Sequence, residues 1–286
     1  MVSNGRFEKY IRNCRQSDNS RNTDWVFDDA VKAKFLPNEI SPDAESDLRD
    51  ESWWGIKKQG RTGSCVGFAV ADSILRWVFV NKQWIQKEDE LSVRYLWMAS
   101  KEIDEFIDRP TTFIESYGTS IKAALSIVQH YGIVLEKDLP FVTQFELMDD
   151  LPEEDLPLYY KSEKAFYAVA AQYRISGYFN LGQDPVKSTD CQNWRRWLAS
   201  GGGPIAIRIA PDEIFLSAED VDGQLDNYGG VFKEGNDHAC ALVGFKEDRF
   251  IIRNSWGKDW GKGGYAFATE QYVMKAVKEA YGVIFY

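Results

Sequence analysis

Residues 65–81, CVGFAVADSILRWVFVN, are apolar on nearly all sides, with only Asp72, Ser73 and Arg76 strongly polar inside the run. A helix that is apolar all round is buried on most sides, so the rest of this chain must wrap around it. Gly63 lets the chain turn in and Ser64 stands where an N-cap belongs, so the pattern predicts a helix that begins at Cys65. Two further helical patterns cover 92 to about 108 and 120–131, the second closed by Gly132. The later part reads differently. A short helix over 194–200 is stopped by Gly201, Gly202, Gly203 and Pro204. Ile205, Ile207 and Ile209 then alternate with Ala206, Arg208 and Ala210, which is a strand signature. Residues 238–245 and 249–254 read as two strands joined by Lys246, Glu247 and Asp248, and 263–269 and 281–286 are further strand candidates. Helices first and strands afterwards imply an α+β chain with a seam between two lobes.

Composition narrows the function. Of 286 residues, 34 are Lys or Arg and 44 are Asp or Glu, a net charge of −10. That balance argues against a nucleic-acid partner, which asks for a basic face, and against docking on an anionic membrane. No apolar run approaches the roughly 18–20 residues of a membrane span. The first residues lack the apolar core of a signal peptide, and the four cysteines are too few for a disulfide scaffold. Cytoplasmic residence is the resulting expectation, with leaderless export left open. No metal and no cofactor is expected. Residues 146–157 are acidic and proline-punctuated, and read as a solvated surface excursion.

A nucleophile needs activation. At a helix start, Cys65 meets unpaired backbone N–H groups and the positive end of the dipole, which favour a thiolate. The chain has only two histidines. His130 lies in a helical pattern and reads as a helix-face residue, whereas His238 opens a strand and is the candidate base. An imidazole must be oriented by a third group. His238 is eight residues before Lys246 and Asn254 eight after it, so a regular hairpin centred there sets the two side by side. Acyl transfer also needs donors for the oxyanion. The Cys65 N–H is one, and the Gln59 amide, six residues upstream, is the other candidate.

The run 59–69, QGRTGSCVGFA, resembles the nucleophile segment of papain-like cysteine peptidases. Asp237-His238-Ala239 and Asn254-Ser255-Trp256-Gly257, followed by Trp260-Gly261 and Gly264-Tyr265, are similar to that family's His and Asn blocks, and they come in the family order. The resemblance covers roughly 45–286 and is faint between 135 and 190. It implies a two-lobe papain-like fold, with a helical lobe (about 50–145), an antiparallel β lobe (about 160–286) and the active site between them. It implies a cysteine-type peptidase in which Cys65 is the nucleophile, His238 the general base and acid, Asn254 its orienter and Gln59 an oxyanion donor. Trp256 would shield the His–Asn hydrogen bond. Gly118 and Thr119 would pair with the substrate backbone, and Asp237 and Ala239 would border the cleft, Ala239 lining the pocket for the second residue before the cleaved bond. Thr62 stands where the family has a disulfide cysteine, Val66 where it has Trp, and Gly67 where it has Ala. The motif style resembles bacterial members more than plant or lysosomal ones.

Two other readings stand beside this one: a catalytically silent peptide- or partner-binding homologue, and a cysteine acyltransferase or deamidase. The partner expected in the main reading is a peptide or protein substrate. Residues 1–45 form an extension ahead of a peptidase domain over 46–286. Its anchors Tyr10, Cys14, Trp25, Phe27 and Phe35 are spaced irregularly among charges, which suits an extended strap. Such a strap either lies on a neutral surface or crosses the cleft through residues near 10–30, so that residues 1–40 inhibit the enzyme.

Overall fold

A computed structural model describes residues 11–18, 24–37, 39–41, 44–104, 117–141, 163–182, 191–233 and 237–285. The acidic excursion at 146–157, the far end of the 92–108 helical pattern, Tyr10 and the turn before Asp237 lie outside these residues.

The apolar run is the central helix, wound in three consecutive pieces: α-helical Cys65–Gly67, π-helical Phe68–Leu75 and α-helical Arg76–Asn81. Ser64 precedes it but does not cap it; the Ser64 hydroxyl instead pairs with that of Thr62 at 2.6 Å. The other two helical patterns are Val93–Ile103 and Ile121–His130, and here the serines do cap. Ser92 accepts from the Tyr95 N–H and Ser120 from the Ala123 N–H. The short helix before the glycine run is Cys191–Ala199. His130 lies on the helix face as expected, its Nδ1 2.9 Å from the Ser126 carbonyl oxygen.

One mixed sheet carries the second lobe. Its strands are β1 (Trp25–Val26), β2 (Ser46–Asp47), β3 (Gly177–Asn180), β4 (Ile205–Ile209), β5 (Gln224–Leu225), β6 (His238–Lys246), β7 (Arg249–Arg253), β8 (Tyr265–Thr269) and β9 (Val277–Ile284), in the order β1-β3-β9-β4-β6-β7-β8-β5 with β2 also on β6. Period-two alternation sorts β6 between two cores. Ala239, Ala241 and Val243 join the cluster around the central helix, while Cys240 and Leu242 join Trp194, Trp197, Phe215 and Trp260 on the other side. The small residues on the first face let the central helix pack close to the sheet.

The two lobes are also tied by charge. Arg253, at the end of β7, donates to the Asp72 carboxylate of the central helix at 2.5 Å and lies over the Trp54 ring. Residues 24–37 are not merely a surface strap: Trp25–Val26 adds a parallel strand to β3, and Phe27, Ala30 and Leu36 are buried in the β-lobe core. A helix over Phe27–Lys32 escaped the sequence reading because six residues carry too little periodicity.

Candidate active site

Cys65, His238, Asn254 and Gln59 converge at the seam, all of them buried. His238 Nε2 lies 2.7 Å from Asn254 Oδ1. That oxygen also accepts the Ser255 N–H at 2.8 Å, which makes it the acceptor and leaves the proton on Nε2. His238 Nδ1 has no hydrogen-bond partner among the described residues and is the open acceptor of the site. The Trp256 ring lies 4.4 Å from the imidazole, tilted by 34° to it.

The hairpin arithmetic is corrected in its detail. The turn is Glu247–Asp248, with Glu247 at φ 53°, and the register shifts between Leu242 and Gly244, so Ala241 faces Arg253. Asn254 is therefore not the ladder partner of His238. It reaches the imidazole because β7 ends at Arg253 and the chain turns there, with the Asn254 N–H bonded to the Gly264 carbonyl oxygen.

Gln59 is clamped by the Asn block. Its N–H donates to the Ser255 carbonyl oxygen at 2.8 Å, and its Oε1 accepts from the Ser255 hydroxyl at 2.7 Å. The amide nitrogen is thereby turned the other way, donating to the carbonyl oxygens of Thr62 at 2.9 Å and Ile11 at 3.2 Å. Ser255 was not singled out from the sequence, although it sits inside the Asn block and holds both Asn254 and Gln59.

The cleft is filled by residues 11–18. The Asn13 N–H hydrogen-bonds the Cys65 sulfur. The Cys14 N–H donates to the Asp237 carbonyl oxygen at 2.9 Å and the Arg15 N–H to the Thr119 carbonyl oxygen at 3.0 Å, making a parallel bridge between Arg15 and Ser120. A Cβ on Gly118 would lie 1.6 Å from the Asn13 carbonyl oxygen, so only glycine admits the strap there. The Gly118–Ser120 edge is held from behind by Asp104, which accepts from the Thr119 hydroxyl and the Ser120 N–H.

Farther along, Ser17 places its N–H and its hydroxyl on the Glu279 carboxylate at 3.0 and 2.6 Å. Glu279, Arg208 and Ala239 form one row across β9, β4 and β6. Arg208 bridges Glu279 at 2.8 Å and the Asp237 carboxylate beyond it. No motif spacing could expose this row, because its members come from three strands distant in sequence.

Burial under the strap changes the electrostatics. It raises the Cys65 thiol above the usual range, with the N–H groups of Asn13, Ala239, Val66 and Cys65 itself opposing. Burial likewise pushes His238 down to about 3. The Asn254 hydrogen bond opposes this and the Arg12 cation adds to it. The helix start was expected to favour a thiolate, but in the covered site desolvation outweighs it.

A profile of the papain family cysteine proteases matches residues 42–281. The chain belongs to the papain family. Among curated members, papain from Carica papaya is 27% identical over 215 residues, 73% of this chain and 50% of its own length. Falcipain-3 of Plasmodium falciparum is 26% identical over 73% of the chain and 37% of its own length. A cysteine proteinase of Theileria parva is 25% identical over 76% and 41%. This papain-family chain thus spans about half the length of these relatives or less. Its fold is that of xylellain, a cysteine protease from Xylella fastidiosa, with a TM-score of 0.68, 18% identity and all of both chains covered. Digestive procathepsin L 3 of Tenebrio molitor shares it with a TM-score of 0.66 and 19% identity, over 99% of this chain and 79% of its own.

Proposed function

We propose that the chain is a cysteine peptidase held latent by its own residues 11–18. The supporting observation is the single polar constellation in which Ser255 fixes both Asn254 and Gln59. His238 is oriented through Nε2 with Nδ1 left open, and Cys65 takes an N–H from Ala239, the neighbour of His238. In this reading His238 Nδ1 takes the Cys65 proton and the sulfur attacks the peptide carbonyl carbon. The resulting oxyanion rests between the Cys65 N–H and Gln59 Nε2. The imidazolium then returns its proton to the leaving amine, and water, deprotonated by the same nitrogen, releases the acyl group.

The strap occupies the same ground without being a substrate. The resemblance assigns Ala239 to the pocket for the second residue before the cleaved bond and pairs Gly118 and Thr119 with the substrate backbone. The strap begins at Gln59 with Ile11 and runs toward these residues, reaching Thr119 with Arg15 and Glu279 with Ser17. Its polarity is therefore opposite to that of a chain presented for cleavage. Being tethered, it acts at a high effective concentration, so modest contacts hold it.

Removing residues 1–40 would take Phe27, Ala30 and Leu36 out of the β-lobe core, so the informative deletion stops at residue 18. Deletion of 1–18 should speed both peptide hydrolysis and Cys65 alkylation. In that background Cys65→Ala should abolish hydrolysis, and Gln59→Ala should lower kcat by about 10²–10³, the usual cost of one oxyanion donor. Full activity of either variant would overturn the assignment of the site. Unchanged rates in a folded deletion would overturn latency.

A further inference from the structure

The strap carries a thiol of its own. The four cysteines are all free and buried, and they fall into two pairs. Cys191 and Cys240 belong to the core of the β lobe, whereas Cys14 and Cys65 share the cluster around the central helix. Cys14 is thus the other thiol of that cluster; Cys240 also feels Cys65 but packs in the opposite core. The strap residue before Cys14 puts its N–H on the Cys65 sulfur. Cys14 itself is pinned through its N–H to Asp237, next to His238. Among the described residues, the Cys14 sulfur makes a weak 3.7 Å contact to the Arg15 carbonyl oxygen. Burial raises the Cys14 thiol well above its usual range, and Cys65 raises it further. Disulfides close over Cα separations of about 4.4–6.8 Å. Cys14 lies one residue step, about 3.8 Å between Cα atoms, along the strap from Asn13, whose N–H meets the Cys65 sulfur.

We propose that Cys14 and Cys65 form a reversible disulfide that locks the strap across the nucleophile when a hydroperoxide is present. The inference rests on the latency reading above. The chemistry balances with hydrogen peroxide as the two-electron oxidant. When the strap lifts, the Cys65 thiolate attacks one peroxide oxygen, the O–O bond breaks, and a sulfenic acid and hydroxide result. When the strap returns, the Cys14 thiolate attacks the Cys65 sulfur, the S–O bond breaks, and hydroxide leaves. The two thiol protons and the two hydroxides become two waters, and the peroxide is the species reduced. The lock stores the enzyme inactive and keeps Cys65 from the irreversible sulfinic and sulfonic steps of the same ladder.

The test uses the full chain, fully reduced and then treated with dilute hydrogen peroxide. Peptide mapping without reductant should find the Cys14 and Cys65 peptides joined and two hydrogens lighter than their sum. Cys65 alkylation should be lost and then recovered in full with dithiothreitol. In Cys14→Ser and in Cys14→Ala, Cys65 should instead pass to sulfinic acid, and dithiothreitol should recover none of the oxidised fraction. Absence of the joined peptides in the wild type, or recovery in the Cys14 variants equal to wild type, overturns the lock. The deletion of residues 1–18, assayed under reducing conditions, separates the two ideas. If it speeds alkylation while the wild type shows no joined peptide, only the lock fails. If it leaves alkylation unchanged, the latency reading fails first.

Discussion

Acidification should lift the strap, and the size of the effect follows from His238. Covered, the imidazole is pushed down to about 3, first by burial and then by the Arg12 cation, against the Asn254 hydrogen bond. Uncovered, it regains water and an ordinary value near 6.5. The covered form has the lower pKa, so the open form binds more protons at every pH between the two values. The closed state is therefore fully favoured above about pH 6.5 and loses ground as pH falls toward 3. Between pH 7 and pH 5 the open population should rise by about 25-fold, roughly 2 kcal/mol. Arg208 pairs with both Glu279 and Asp237 at the far end of the strap. The assay is hydrogen exchange at the Cys14 and Arg15 amides, whose bonds to Asp237 and Thr119 report the closed strap. Rates divided by the intrinsic exchange rate remove the direct effect of pH. Glu136, pushed up to about 7 by burial, titrates in the same window but bonds the Phe141 N–H, away from the strap. His238→Gln isolates the imidazole and should flatten the response. Protection that is constant or greater at pH 5, or an equal response in His238→Gln, would refute the reasoning.

Gly118→Ala drives a methyl group into the Asn13 carbonyl oxygen, which a Cβ would approach to 1.6 Å. With each lost backbone hydrogen bond worth about 0.5–1.5 kcal/mol, alkylation of Cys65 at pH 7 should quicken by about tenfold or more; an unchanged rate would place the strap elsewhere. Asp72→Asn leaves the buried Arg253 cation unpaired between the lobes. Urea unfolding should register a loss of about 3–5 kcal/mol, the usual effect of breaking a buried pair, and a loss below about 1 kcal/mol would mean that water or another group compensates.

What was legible in the sequence is what depends on neighbours along the chain. The central helix was readable because its burial is written in an unbroken apolar run, whereas Ser64 stands at its start without capping it, its hydroxyl being taken by Thr62. Cys65, His238, Asn254 and Gln59 could be named because each lies inside a short block of residues that shape its own turn or strand start. Tertiary structure decided whatever joins distant segments. The bulge after Leu242 moved the hairpin register away from simple counting, yet the turn at Asn254 kept its bond to His238. The course of residues 11–18 depends on Gly118 for clearance, on Asp237 and Thr119 for backbone partners and on Glu279 for a carboxylate. Those groups meet only once β6, β9 and the Gly118–Ser120 edge are packed. Burial then inverted an expectation that was sound locally. A helix start does favour a thiolate, but in the covered cleft the cost of removing Cys65 and His238 from water is the larger effect.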